Sequence, residues 1–511
     1  MNYILLLFIL IFTSTLCHAA DSDQKRQALF HGLDPTSIRQ HLSFYELYKE
    51  SLEGKKALEH AWKLLAGNNS HDTATALTLP HTVQSFIDLI SPLTNSERAA
   101  VLDDETSSAI DILAKNLANR SKKGCSVESE QELLTLENHE IDLTRAVLLT
   151  QLPEKDLRKI VRFERSLDLM ALQVLAQAGP EKKPLDIIRA LNDLIFFQMQ
   201  FRFPPHSSYT DKIDLFTFLP NILESRRGVC LGVSTLYLCL AQRLGLDLEI
   251  VTPPGHIFVR YQDQSETKNI ETTCRGIHLP TEEYLSINTK KLAVRSIREV
   301  IGMAHHNQAS TFLAKENFEQ ASICYKKALQ FISDDPQLLT LYGCSLLLAD
   351  RKAEALDILK VAAKKQDSNI VTEPNLAIDI INQHIDKEGL KPYFFYVDET
   401  QSSVVRKQKA LEEACSRFPH FRAGLFQLAM CALQLGQETK AIQVLEQIHA
   451  VDPNDIVVEY YLAELYLSRF DAPSSWKHCR KAVELAKESS YMPKILEHFM
   501  LELSKVSPDT E

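Results

Sequence analysis

The chain has 511 residues, 45% of them hydrophobic and 24% charged, with a formal net charge of −11. That length allows roughly two to four domains with full cores, and the balance is that of a globular chain. The acidic balance and the absence of any lysine- or arginine-rich run exclude nucleic acid and anionic membrane surfaces as expected partners.

Residues 1–20 stand apart. Tyr3 to Phe12 is almost wholly apolar, and Cys17-His18-Ala19 precedes Ala20-Asp21. This reads as a secretory signal peptide cut after Ala19 or Ala20, which puts the mature chain in the periplasm or outside the cell. Lipidation of Cys17 and an uncleaved anchor are the rival readings. Leu16 stands where lipidation wants a small residue, and the apolar run is short of the roughly 20 residues of a spanning helix. No Lys or Arg precedes the run, and no membrane span is expected in the mature chain.

Residues 21–153 read as a helical domain. Ser37 to Leu65, Ser96 to Leu117 and Glu130 to Gln151 carry apolar residues at helical spacing, with loops at Gly67–His71 and Ser121–Ser126. Nothing there carries chemistry. Glu154 to Ala178 reads as an amphipathic helix ending at Gly179-Pro180, and Pro184 to Met199 as a second. Phe203 to Tyr209 reads as a loop near the next stretch in sequence.

Arg226 to Glu271 concentrates the chemistry. Cys230 follows Gly228 and opens a helix whose apolar face is Val233, Leu236, Tyr237, Leu240 and Leu244, with Gly245 as its C-terminal cap. Leu248–Thr252, His256–Tyr261 and Asn269–Thr273 read as strands, with a Pro253-Pro254-Gly255 turn and a hairpin loop at Gln262–Lys268. A helix N-terminus and a nearby imidazole favour the thiolate that a cysteine nucleophile needs. A carboxylate then fixes the histidine's tautomer. A hairpin turning at Asp263-Gln264 would set His256 opposite Glu271. From the residues alone, each position keeps two readings. Cys230 is a nucleophile or one more core cysteine. His256 is a proton carrier or a polar strand end. Glu271 is the orienting carboxylate or an exposed strand residue, with Asp263 and Glu266 as rivals in the loop. Arg226 and Arg227 are expected to make loop contacts. An oxyanion hole would include the Cys230 backbone N–H.

Leu223-Glu-Ser-Arg-Arg-Gly-Val-Cys230, Leu236-Tyr237, Leu240-Ala241, Arg243-Leu-Gly-Leu246 and Pro254-Gly-His-Ile-Phe-Val-Arg260 resemble the transglutaminase-like superfamily. The nearest branch is the bacterial SirB-type proteins, which join such a domain to tetratricopeptide repeats. The resemblance reaches upstream through Ala190–Ile195 and Phe201–Phe203, and covers roughly residues 155 to 300. It implies a papain-like α+β core over residues 154–300 and a Cys230, His256, Glu271 triad. The family more often has Asp where Glu271 stands, and many members of the branch lack a triad residue.

From residue 301 a 34-residue period appears. Ala309, Phe312, Ala321, Tyr325 and Ala328 recur as Gly343, Leu346, Ala355, Leu359 and Ala362. Leu425, Leu428, Ala429, Ala432, Ala441, Leu445 and Ile448 make a third unit, and Leu462, Ala463, Tyr466, Ser475, Cys479 and Ala482 a fourth. The pattern resembles tetratricopeptide repeats over residues 301–490, before a C-terminal helix and tail at 491–511. From about 370 to 421 the phase holds only at Leu411, Ala414 and Pro419, and Tyr393–Tyr396 suggests an aromatic insertion. The expected fold is therefore mostly α: a helical N-terminal region, the α+β core and an α-solenoid. Such a solenoid offers a surface to a protein or peptide partner.

Ten cysteines at low density suggest neither a disulfide framework nor a zinc site. Cys239, Cys324, Cys344, Cys431 and Cys479 fall inside helical patterns and read as small core residues. Cys274 is a conceivable redox partner for Cys230. The adjacent pair His305-His306 diverges on a helix and makes no metal site. No cofactor is expected. Two functions remain: a thiol hydrolase or acyl transferase acting on amide or isopeptide bonds, and a non-catalytic scaffold binding a protein through its repeats.

Overall fold

The computed structural model describes residues 23–66, 104–152, 156–178, 181–204, 213–365, 367–372, 376–398 and 400–508. The signal-peptide reading, the 67–71 loop, residues 96–103 of the second helical segment, the Gly179-Pro180 break and loop residues 205–209 lie outside them. Among the described residues no helix is long and apolar enough to cross a membrane.

The fold separates into two compact units. Of the described residues, one takes those within 1–128, 152–201 and 237–247; the other takes those within 129–151, 202–236 and 248–511. The first is helical. Ile38–Leu47 and Leu52–Ala66 form two helices where the periodicity suggested one stretch. Ser37 caps the first by accepting from the Gln40 N–H. Asp104–Ala114, Leu157–Gln177 and Pro184–Asn192 follow, and the last runs on into a π-helical turn at Asp193–Gln198. The fully buried Asp168 carboxylate is held by the Arg243 guanidinium at 2.7 Å and by Arg120. A buried charge without such partners would be strongly destabilising, by about 3–5 kcal/mol.

The second unit holds a small sheet. β1 (Glu249–Thr252), β2 (Phe258–Gln262), β3 (Thr267–Ile270) and β4 (Ala293–Arg295) are ordered β3-β2-β1-β4, every neighbour antiparallel. Two expectations need correction here. His256 lies before β2, and Glu271 lies just beyond β3. The hairpin pairs Val259 with Ile270 and Gln262 with Thr267, so each partner lies two residues further on and the turn centres one residue later than expected. The reason is Asp263. Its carboxylate accepts from the Ser265 and Glu266 N–H groups and the Ser265 hydroxyl, which fixes it as the first corner of the turn.

The repeats supply the rest. Helix pairs form at Ile297–Ala314 with Phe318–Leu329, Pro336–Leu348 with Lys352–Ala362, Arg422–Gln434 with Glu438–Val451, and Ile456–Ser468 with Ala472–Glu488. Lys494–Val506 closes the array. The small residues sit where paired helices touch: Ala309, Ala321, Ala355, Ala441 and Ser475 are fully buried. Each pair is joined by the same turn. A left-handed residue stands at Glu316, Asp350, Gly436 and Phe470, and the next N–H reaches back to Phe312, Leu346, Ala432 and Tyr466 respectively. These are Schellman closures, and only one uses glycine. The segment of broken phase contains the short helices Leu376–Ile381 and Lys387–Leu390, then Gln401–Arg417, which buries Leu411 and Ala414.

All nine described cysteines are free thiols. Cys239, Cys324, Cys344, Cys415, Cys431 and Cys479 are buried; Cys125 and Cys230 are half-buried and Cys274 is exposed. Cys230 and Cys274 form no disulfide.

Phe470 is 88% exposed at φ +61°, so it carries left-handed strain without burying its ring. Left-handed backbone costs an L-residue about 1–2 kcal/mol, and glycine avoids it at the cost of some chain entropy. Phe470→Gly is expected to stabilise the protein by roughly 1 kcal/mol, read as a higher midpoint in urea unfolding. An unchanged or lower midpoint would count against this account of the turn.

Candidate active site

Cys230 is the first residue of the helix Cys230–Leu244. What places it there is a close backbone approach. The Gly228 N–H donates to the Arg202 carbonyl, and the Val229 N–H to that of Phe216. A Cβ on Gly232 would lie 2.4 Å from the Phe216 carbonyl oxygen, so no side chain fits in the first turn on that side. The left-handed residue before the helix is Arg226, at φ +56°, rather than Gly228. The expected glycine turn is thus an arginine turn followed by a glycine contact. Arg227 bridges to Arg202 in the same loop.

His256 follows the Pro254-Gly255 corner. Gly255 takes φ +71°, and the His256 N–H closes the turn onto the Pro253 carbonyl. Glu271 lies at the other end of the hairpin. Its N–H donates to the Ile277 carbonyl, and it opens a 3-10 turn at Thr272–Cys274. The two side chains meet diagonally across the strand ends, with His256 Nε2 2.7 Å from Glu271 Oε2. The Cys230 thiol lies close enough to the imidazole to raise its proton affinity, and with Nε2 on the carboxylate, Nδ1 is the nitrogen left to it. The structure therefore brings Cys230, His256 and Glu271 together, in the order thiol, imidazole, carboxylate. Asp263 and Glu266 stay in the hairpin turn, Asp263 also accepting from the Tyr261 hydroxyl.

Three residues that the sequence reading passed over complete the arrangement. The Tyr284 hydroxyl donates to Glu271 Oε2 at 2.9 Å, and its ring stacks on Phe258 and lies nearly parallel to His256. Thr273 donates to Glu271 Oε1 through both its N–H and its hydroxyl, at 3.1 and 2.6 Å. Thr272 shares a 2.9 Å hydroxyl contact with Ser234, which ties the carboxylate's turn to the helix that Cys230 opens. Tyr284 had no signal beyond an aromatic in a polar loop. Thr273 had none beyond its place two residues after Glu271.

Burial draws the His256 pKa down, but the hydrogen bonds and charges of Cys230 and Glu271 outweigh it and push it up to about 10. Burial also raises Glu271, and the bonds from His256 and Thr273 hold it below the usual glutamate range. Burial and the Glu271 charge push the Tyr284 phenol up, so it remains a donor.

A cleft of about 320 Å³ opens on Cys230 and His256. Cys230, Pro253–His256 and Arg295 line one part of it. Met303, His306 and Asn307 of the first repeat helix, and Asp335, Gln337 and Leu338 at the start of the second pair, line another. Asn369 and Ile370 close it, on a loop pinned to Lys290 by the Asn369 carbonyl. His305 and His306 do diverge: His305 stacks on Phe331, and His306 faces Tyr325.

Residues 162–300 match the model of the transglutaminase-like superfamily, and residues 303–335 and 424–455 that of the tetratricopeptide repeat. The chain therefore carries a transglutaminase-like domain and tetratricopeptide repeats. A UPF0162 protein of Xylella fastidiosa is 23% identical over 30% of this chain and 59% of its own length. The F-box only protein 21 of Mus musculus is 27% identical over 23% of this chain and 17% of its own. The chain thus spans less than two thirds of these curated relatives. Among solved structures, MamA from Desulfovibrio magneticus is 16% identical over 37% of this chain and 96% of that one, with a TM-score of 0.18. A thermophilic tetratricopeptide-repeat protein of Thermus thermophilus is 17% identical over 40% and 98%, with a TM-score of 0.21.

The imidazole offers a direct check. His256 holds its proton more tightly in the fold than free histidine, whose pKa is about 6.5. The ion pair's contribution to stability is therefore complete below about pH 6.5 and is lost as pH rises through about 10. Ring-carbon NMR should show His256 titrating near that value, and Glu271→Gln should lower it by at least about one unit. A His256 that titrates like a free imidazole in the native protein would refute the pairing.

Proposed function

We propose that the chain is a thiol-dependent hydrolase or acyl transferase that acts on amide or isopeptide bonds in protein substrates. The observation that carries this reading is the contact sequence Cys230, His256 Nε2 to Glu271 at 2.7 Å, within a cleft. In the reaction, Cys230 Sγ as thiolate attacks the carbonyl carbon and the C=O electrons move onto oxygen. The Cys230 backbone N–H has no carbonyl one turn earlier in its helix, so it is available to that oxyanion. The C–N bond then breaks, and His256 gives its Nδ1 proton to the leaving amine. Water or a second amine attacks the thioester, returns a proton to His256, and releases an acid or a new amide. Glu271 holds the His256 ring throughout, in both of its charge states, and takes no proton. The first repeat helices form one wall of the cleft, so they are read as sorting the substrate.

Alkylation separates this reading from a non-catalytic scaffold. Cys230 is half-buried and Cys274 exposed, so access alone favours Cys274. With an amide-mimicking electrophile near neutral pH, Cys230 is expected to be labelled first, as read by peptide mass spectrometry. His256→Ala should slow that labelling on the order of 100-fold, and Glu271→Gln less than Glu271→Ala. Cys230 reacting no faster than Cys274 or Cys125, with His256→Ala without effect, would leave the scaffold reading in its place.

The same reading puts the enzyme in the periplasm or outside the cell, on the strength of the apolar run Tyr3–Phe12 and Ala19-Ala20. N-terminal sequencing of protein from fractionated cells should return Ala20 or Asp21. A mature chain starting at Met1 or Asn2 would contradict it.

A further inference from the structure

We propose that His449, Glu459 and His478 form a binding site for one divalent transition-metal ion, zinc by its donor set. His449 lies in the last turn of Glu438–Val451, Glu459 in the first turn of Ile456–Ser468, and His478 in Ala472–Glu488. One ligand atom of each lies within 4.8 Å of the others. The residues come from three helices of two successive repeats and are spread over 30 positions of sequence, so no spacing motif announces them.

The geometry converges on one carboxylate. His449 Nδ1 is 2.5 Å from Glu459 Oε1, and His478 Nδ1 is 2.8 Å from Glu459 Oε2. The rings stand edge to face, at 5.2 Å and 80°. The Glu459 side chain has no exposure and that of His478 has 1%, whereas His449 keeps 24%. Two neutral histidines and a carboxylate are a common zinc donor set, and two imidazoles exclude magnesium and calcium as the preferred ions.

The surroundings suit a cation. His478 Nε2 lies 3.3 Å from Glu446 Oε1, on the ring edge away from Glu459. If a cation takes both Nδ1 lone pairs and a Glu459 oxygen, the His478 proton sits on Nε2 and donates to Glu446. Metal-bound histidines are held in this way, with a carboxylate on the far nitrogen. Glu446 is itself fixed, because the Tyr466 hydroxyl donates to the same oxygen at 2.8 Å. The Tyr466 ring lies 5.6 Å from that of His478 at 8°, so the imidazole is held in plane as well as by its edge. Three protein ligands leave a fourth position, on the side of the half-exposed His449, for water or an outside donor. The bound ion would join the two repeats through three helices.

The test is calorimetry of zinc binding to the full chain after chelator dialysis, repeated with Cys230→Ser to set aside the reactive thiol. One equivalent is expected to bind and to raise the melting temperature. His449→Ala and His478→Ala should each weaken binding at least 100-fold. Glu446→Gln, which leaves the buried ligands untouched, should weaken it about 10- to 100-fold and covers the case in which His478→Ala fails to fold. Cobalt(II) in place of zinc should give a four-coordinate visible spectrum without a thiolate charge-transfer band. Binding that is unchanged in His449→Ala and Glu446→Gln, or that shows thiolate ligation, would overturn the site and leave a hydrogen-bonded network only.

Discussion

The Glu271 carboxylate is the point on which the candidate site depends. An ionised group buried this far, at 2% exposure, needs donors on every side. It has four: His256 Nε2 and the Tyr284 hydroxyl on one oxygen, and the Thr273 N–H and hydroxyl on the other. Its length matters. Where the family more often has Asp, the extra methylene lets one oxygen cap the Thr272–Cys274 turn while the other reaches the imidazole. The same turn contacts the Cys230 helix through Thr272 and Ser234. One buried charge thereby sets the imidazole's orientation and the approach of helix to sheet.

Much of this was legible from the order of residues, and the failures have physical causes. The helix from Cys230 and its Gly245 cap were carried by a 3.6-residue period, and Gly245 does take φ +69°. The pairing of His256 with Glu271 was expected from a strand register that does not occur. The contact forms because both residues lie off the strand ends, where a Pro-Gly corner and a capped turn direct them inward. Strand β4 is three residues long, too short for alternation to show. The repeats were legible because contact positions recur every 34 residues. The segment near Tyr393 was not, because its short helices follow no period.

The cleft changes how the repeats are understood. A solenoid read from sequence suggests a docking surface separate from any chemistry. Here the first repeat helix and the start of the second pair contribute to the wall that faces Cys230 and His256. Arg295, on β4, pairs with both Glu299 and Asp335 and so ties sheet to repeats at the cleft margin. Under the proposed function, substrate choice and substrate chemistry are properties of one surface.

The buried thiols of the repeats set a constraint in time rather than in space. Burial pushes the Cys324 thiol up to about 11 and that of Cys415 to about 12, and Cys344 further. Once folded, these groups have almost no thiolate to offer an oxidant. Before folding they are ordinary thiols, spread along the chain and able to pair in many wrong ways. In an oxidising compartment the chain would have to close its helix pairs faster than its cysteines find one another. The 34-residue repeats are suited to that race, because each pair closes on contacts local in sequence.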